Sequence, residues 1–124
     1  MKRVLVCDDD KDILDIIEYI LSEAGWEIIT SEDVVDILDK VRTCQPSVII
    51  MDNWIPDIGG IAATRLLKND PDLRYIPVIY ITANSDVKSL AEKAGADLYL
   101  AKPFNLTSLE NVVKSAYQLR HMTA

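Results

Sequence analysis

Cysteine and histidine are almost missing from this sequence: Cys7, Cys44 and His121 are the only ones in 124 residues. The cysteines have no CxxC spacing, no histidine cluster beside them and no secretory signal ahead of them. That pattern argues against a metal centre or a disulfide and for reduced, buried thiols in a cytoplasmic protein. His121 stands in a polar tail and is assigned no role. No apolar run approaches the roughly 20 residues needed to cross a bilayer, so no contact with a membrane is expected. Positive charge is scarce as well: 13 Lys and Arg against 20 Asp and Glu leave a net charge of -7. This balance opposes binding to phosphate backbones and anionic lipid surfaces, so nucleic acid is not expected as a direct partner. Low-complexity stretches, long linkers and internal repeats are also absent, and the length suits one domain over residues 1–124.

What is present is an alternation. The apolar runs VLVC (4–7), EIIT (27–30), SVIIM (47–51), IPVIYIT (76–82) and DLYLA (97–101) read as strands, with Pro77 tolerable because it stands at a strand start. Helix-period segments separate them. The first carries Ile13, Ile16, Ile17, Ile20 and Leu21 and ends at Gly25; the second has Val34, Leu38 and Val41 on one face and cannot continue through Pro46. A loop with Pro56, Gly59 and Gly60 leads into a third helix through Leu66 and Leu67, which ends near residues 69–71. A fourth spans residues 86–94 before Gly95, and a last one residues 106–119. Five strands strictly alternating with five helices predict an α/β, doubly wound parallel sheet with right-handed crossovers and helices on both faces.

In such a sheet the carboxyl ends of all strands lie along one edge, where ligands bind. Reading that edge gives Asp8 and Asp9 after the first run, Asp52 after the third, Thr82 at the end of the fourth and Lys102 after the fifth. Adjacent carboxylates repel one another and call for a positive partner. Hard oxygen donors favour Mg²⁺, which takes one or two carboxylates and keeps several waters. A carboxylate between Mg²⁺ and a lysine can attack phosphorus and form an acyl phosphate, with Thr82 hydrogen-bonding a transferred oxygen. Taken singly, Lys102 reads as a surface lysine, Thr82 as a β-branched strand residue and Asp10 as a helix cap; the convergence is what singles out the set.

CDDD at 7–10, MDNWIPDIGG at 51–60, ITA at 81–83 and AKPF at 101–104 follow one another along the whole chain. In these motifs the sequence resembles the receiver domain of two-component response regulators, the chemotaxis regulator among them. The resemblance implies a flavodoxin-like (βα)5 fold of strand order 2-1-3-4-5. It implies Asp52 as the phospho-acceptor, Asp8 and Asp9 as an acidic pair organising Mg²⁺, and Asp52 and the main-chain carbonyl of Trp54 as further metal ligands. Thr82 and Lys102 would contact the phosphoryl group, Lys102 would precede Pro103 through a cis peptide bond, and Tyr99 would be an aromatic switch. The implied activity is that of a signalling module, not an enzyme on outside substrates: it catalyses its own phosphorylation from phosphohistidine and its own dephosphorylation. The implied donor is a histidine kinase or phosphotransfer protein. No output domain follows the fifth helix, so the expected readout is either a separate output protein or a domain of a longer regulator from which the chain was cut. The expected docking face is the fourth helix, fifth strand and fifth helix, through Val87, Lys88, Leu90 and Ala91 and residues 108–117. Gly59 stands where the family often has Asp, and Trp54 is a bulky choice two residues after the acceptor.

Three other functions compete. A flavodoxin-like nucleotide binder would need Gly, Ser or Thr around a phosphate after the first strand, where this chain has the acidic CDDDKD. A Mg²⁺-dependent phosphatase with an aspartyl nucleophile would want a second Asp where Trp54 stands. A phosphate-independent adaptor would leave the filled acidic, hydroxyl and lysine positions without a purpose.

Overall fold

The computed structural model of the chain describes residues 2–122 and, of residues 120–122, the backbone alone, so the side chain of His121 lies outside the described residues. Five strands, β1 (Arg3–Cys7), β2 (Glu27–Ser31), β3 (Val48–Asp52), β4 (Val78–Thr82) and β5 (Leu98–Ala101), alternate with five helices. The helices are α1 (Lys11–Glu23), α2 (Ile37–Cys44), α3 (Gly59–Asn69), α4 (Val87–Ala94) and α5 (Leu106–Met122). The strands pair in parallel in the order β2-β1-β3-β4-β5, as the expected fold class requires. Every residue of β3 and β4 is buried, because helices cover both faces of the sheet centre. The edge strands β2 and β5 expose some of theirs.

Alternation along the strands divides the core in two. Leu5, Cys7, Ile49, Met51, Val78 and Tyr80 pack with Val41 of α2, Leu67 of α3 and Ala91 of α4. Val4, Val6, Ile50, Ile79 and Ile81 pack with Ile17 and Leu21 of α1 and Leu109 and Val113 of α5. Each such fully buried aliphatic side chain contributes about 1.5–3 kcal/mol relative to exposure. The sheet is thus sandwiched between two cores.

The helices differ from their predicted frames in three places. On α1 the buried stripe is Leu14, Ile17 and Leu21, whereas Ile16 is 49% exposed. Residues 14, 17 and 21 recur every three or four positions and line up on the sheet, while residue 16 is turned away by one helical step. Val34 is buried but precedes α2, because Asp36 takes a left-handed conformation (φ 50°) and the Val34 N–H donates to the Pro56 carbonyl at 3.2 Å. Gly59 and Gly60 belong to the first turn of α3, not to the loop before it, and Leu66 is exposed while Leu67 is buried. Gly25 and Gly95 follow the ends of α1 and α4 as expected. β4 begins one residue after Pro77, whose carbonyl accepts from the Ile49 N–H at 2.9 Å.

Trp26, just before β2, stacks edge-on against Tyr117 of α5. Cys7 is buried and Cys44 half-buried, both free, and burial pushes the Cys7 thiol up to about 12, so this thiol stays protonated and unreactive. No helix among the described residues is long and apolar enough to cross a membrane.

Candidate functional site

Strand register brings the predicted residues to one place. Cys7 lies opposite Met51, Asp52 opposite Ile81 and Thr82 opposite Ala101. One step further along the rim, Asp8 emerges beside Asp52, and Lys102 emerges beside Thr82, donating its backbone N–H to the Thr82 carbonyl at 3.0 Å. The Lys102–Pro103 peptide bond is cis.

The expected acidic pair is not a symmetric one. Asp8 is fully buried; its Oδ1 accepts from the Asp10 N–H at 2.9 Å and its Oδ2 from the Lys102 ammonium at 2.7 Å. Asp9 is exposed at the mouth of the site. Asp10 caps α1, its side chain accepting from the Asp12 N–H at 3.0 Å. Asp52 is 5% exposed, and its Oδ1 lies 3.1 Å from the Lys102 ammonium. Lys102 thus bridges the two buried carboxylates, and this ammonium is the positive partner that the aspartate run requires.

One carboxylate oxygen from each of Asp8, Asp9 and Asp52 can be chosen so that all three lie within 4.8 Å of one another. Burial, then the Asp8 charge, pushes the Asp52 carboxyl up to about 6 against the pull of Lys102. Burial by itself pulls the Lys102 ammonium down, but the Asp8 and Asp52 carboxylates outweigh it and the group is raised. Lys102 therefore stays charged. Three carboxylates against one ammonium leave two formal negative charges among hard oxygen donors. That donor set fits a small divalent cation such as Mg²⁺.

Thr82 is 1% exposed, and its Oγ1 accepts from the Asn84 N–H at 3.1 Å. Tyr99, opposite Tyr80 in the β4–β5 register, is 45% exposed. Trp54 is 76% exposed, so its ring is not packed into the site. On α4, Val87 and Ala91 are buried against the sheet, so of the four residues expected on its outward face Lys88 and the half-buried Leu90 reach the surface.

Sequence reasoning passed over two residues here. Asn53, directly after Asp52, accepts at its side-chain Oδ1 from the hydroxyl of Tyr80. The signal was a tyrosine in the otherwise apolar VIYI run, two residues before Thr82 and so on the same face of β4. Gly60, by its sequence pattern a loop residue, has no room for a side chain: a Cβ there would meet the Asp52 carbonyl oxygen at 2.2 Å.

Residues 4–114 match the model of the response regulator receiver domain. The polar-differentiation response regulator DivK of Brucella anthropi is 29% identical over 117 residues, covering 92% of this chain and 94% of the relative. The receiver domain of the Francisella response regulator 1452 superposes with a TM-score of 0.84 at 31% identity, over 95% of this chain and 98% of that one. The receiver domain of the sensor histidine kinase PA1611 from Pseudomonas aeruginosa, solved with a magnesium ion coordinated in its active-site cleft, gives a TM-score of 0.86 at 25% identity, over 94% and 98%. With the family model matched over nearly the whole chain and the (βα)5 sheet in its order, the chain belongs to the response regulator receiver domains, the phosphorylation-activated modules of two-component signalling.

Proposed function

We propose that this receiver accepts a phosphoryl group on Asp52 from a histidine kinase or phosphotransfer protein, with Mg²⁺ held at Asp8, Asp9, Asp52 and the Trp54 main-chain carbonyl. The observation that carries the reading is the triad: Lys102 reaches Asp8 at 2.7 Å and Asp52 at 3.1 Å, with Asp9 at the mouth. An Asp52 oxygen attacks phosphorus as the bond from phosphorus to the donor imidazole nitrogen breaks, and the electron pair leaves with that nitrogen. Bound Mg²⁺ would supply positive charge to the transferring oxygens. Lys102, already against Asp52, donates to a phosphoryl oxygen, and the Thr82 hydroxyl gives up its place beside Asn84 to donate to another. The same groups stabilise the reverse build-up of charge when water removes the phosphoryl group, so the module limits its own signal. A cytoplasmic setting is part of this reading and is supported by the two free thiols.

The output proposed is a population shift. Movement of Thr82 toward the phosphoryl group opens space on its side of β4, and the exposed Tyr99 ring turns into it. The face of α4, β5 and α5 then changes for an output protein. Incubation with Mg²⁺ and a small acyl phosphate is expected to give a phospho-adduct by intact mass, and Asp52→Asn to abolish it. An undiminished adduct in Asp52→Asn would remove Asp52 from this role.

A further inference from the structure

Asn53 is held at three points. Its N–H donates to the Ile81 carbonyl at 3.1 Å, its own carbonyl accepts from the Gly60 N–H at 3.1 Å, and its side-chain Oδ1 accepts from the Tyr80 hydroxyl. Tyr80 is fully buried in the middle of the sheet. Burying the hydroxyl is unfavourable unless it is bonded, so its value lies in the bond it makes. The contact is closed tightly, since a Cβ at Gly60 would stand 2.2 Å from the Asp52 carbonyl oxygen and 3.0 Å from both the Asn53 Cα and the Tyr80 hydroxyl. The next residue, Trp54, is 76% exposed and gains no such hold from its own side chain. Its backbone direction depends on its neighbours, Asn53 on one side and the buried Ile55 on the other.

We propose that the hydrogen bond from Tyr80 to Asn53 is a clasp that aims the Trp54 main-chain carbonyl at the cation, making Tyr80 and Asn53 positioning residues of the acidic site. The inference rests on the Mg²⁺ reading given above. Neither residue touches the cation; both act through the backbone that follows Asp52.

The test is a Mg²⁺ titration followed by tryptophan emission in wild type, Tyr80→Phe, Asn53→Ala and the double variant, with metal-free thermal melting recorded alongside. Each single substitution is expected to weaken Mg²⁺ binding about ten-fold, in the range seen when groups behind a metal ligand are removed. The double variant is expected to bind no more weakly than the worse single one, because both remove the same bond. Acyl-phosphate labelling at limiting Mg²⁺ should fall in parallel and recover as Mg²⁺ is raised, which a general loss of packing would not produce. Wild-type Mg²⁺ affinity in Tyr80→Phe, or fully additive losses in the double variant, would overturn the clasp. Asn53→Ala tests the same bond from its half-buried end should Tyr80→Phe melt too low to titrate. Asp9→Asn is run beside them: if it titrates like wild type, the Mg²⁺ reading itself falls and the clasp with it, whereas a weakened Asp9→Asn beside an unaffected Tyr80→Phe overturns the clasp alone.

Discussion

At the scale of single residues, the chemistry turns on one ammonium between two buried carboxylates. Asp52, ordinarily near 3.8, is pushed up to about 6, chiefly by burial and next by Asp8. Its neutral form is thus favoured in the fold. The associated stability is complete below the unfolded value near 3.8 and is lost as pH rises through about 6 in metal-free protein. Mg²⁺ needs the ionised form, so proton and metal compete. Apparent Mg²⁺ affinity is expected to be level above about pH 7 and to fall up to about ten-fold per unit below 6. Titrations across that range check it, and a level affinity down to pH 5 would contradict the assignment. Lys102→Met should show the other side of the balance, because it leaves fully buried Asp8 without its ammonium. The expected loss is about 2 kcal/mol in metal-free protein, below the full figure for a buried pair because Lys102 is partly exposed. Mg²⁺ should restore part of it by binding the folded state. Urea unfolding with and without Mg²⁺ measures both quantities, and equal stability of variant and wild type in metal-free buffer would mean that Lys102 does not balance Asp8.

Among the elements, α3 matters most for the site because its first turn is pressed against the end of β3. The two glycines there do different work. Gly59 has a positive φ of 84° and open space where a Cβ would stand, so Gly59→Ala meets backbone strain alone, roughly 1–2 kcal/mol. Gly60 lacks that strain, but an added Cβ would collide with the backbone of Asp52 and Asn53, which cannot yield as a flexible side chain would. Gly60→Ala is therefore expected to cost about 3 kcal/mol and to weaken Mg²⁺ binding, whereas Gly59→Ala leaves the titration close to wild type. Chemical denaturation and the emission titration together separate the two effects. The reverse ranking, with Gly59→Ala the more damaging to Mg²⁺ binding, would show that α3 does not lock the acceptor strand. Nothing in the pair GG at 59–60 distinguishes its members, since the difference depends on which backbone comes to lie beside each.

Across the whole molecule, the proposed signal passes from the rim to the α4–β5–α5 face through Thr82 and Tyr99. Thr82→Ala and Tyr99→Ala are expected to fold and to accept a phosphoryl group, while losing most of the phosphate-dependent change in amide exchange over residues 84–117. Exchange with and without a stable phosphoryl mimic tests this, and identical protection in both forms of the wild type would leave the face without a message. The amino-acid pattern alone sets the alternation of strands and helices, because apolar runs of strand length and the three-to-four-residue spacing of helices are local. It also determined which residues reach the rim, since in a parallel sheet the residue after each run must lie on one edge. Tertiary structure decided how those residues differ. Asp8 is sealed and Asp9 open because β1 lies between two strands while the chain turns outward after it. Ile16 faces out, and Val34 is buried ahead of its helix, because the sheet covers only part of each helical face and loops such as 53–58 reach across to cover what precedes α2. The bond from Tyr80 to Asn53 joins residues 27 apart in the chain. No local pattern encodes it, because it exists only when β3 and β4 lie side by side and α3 closes over them.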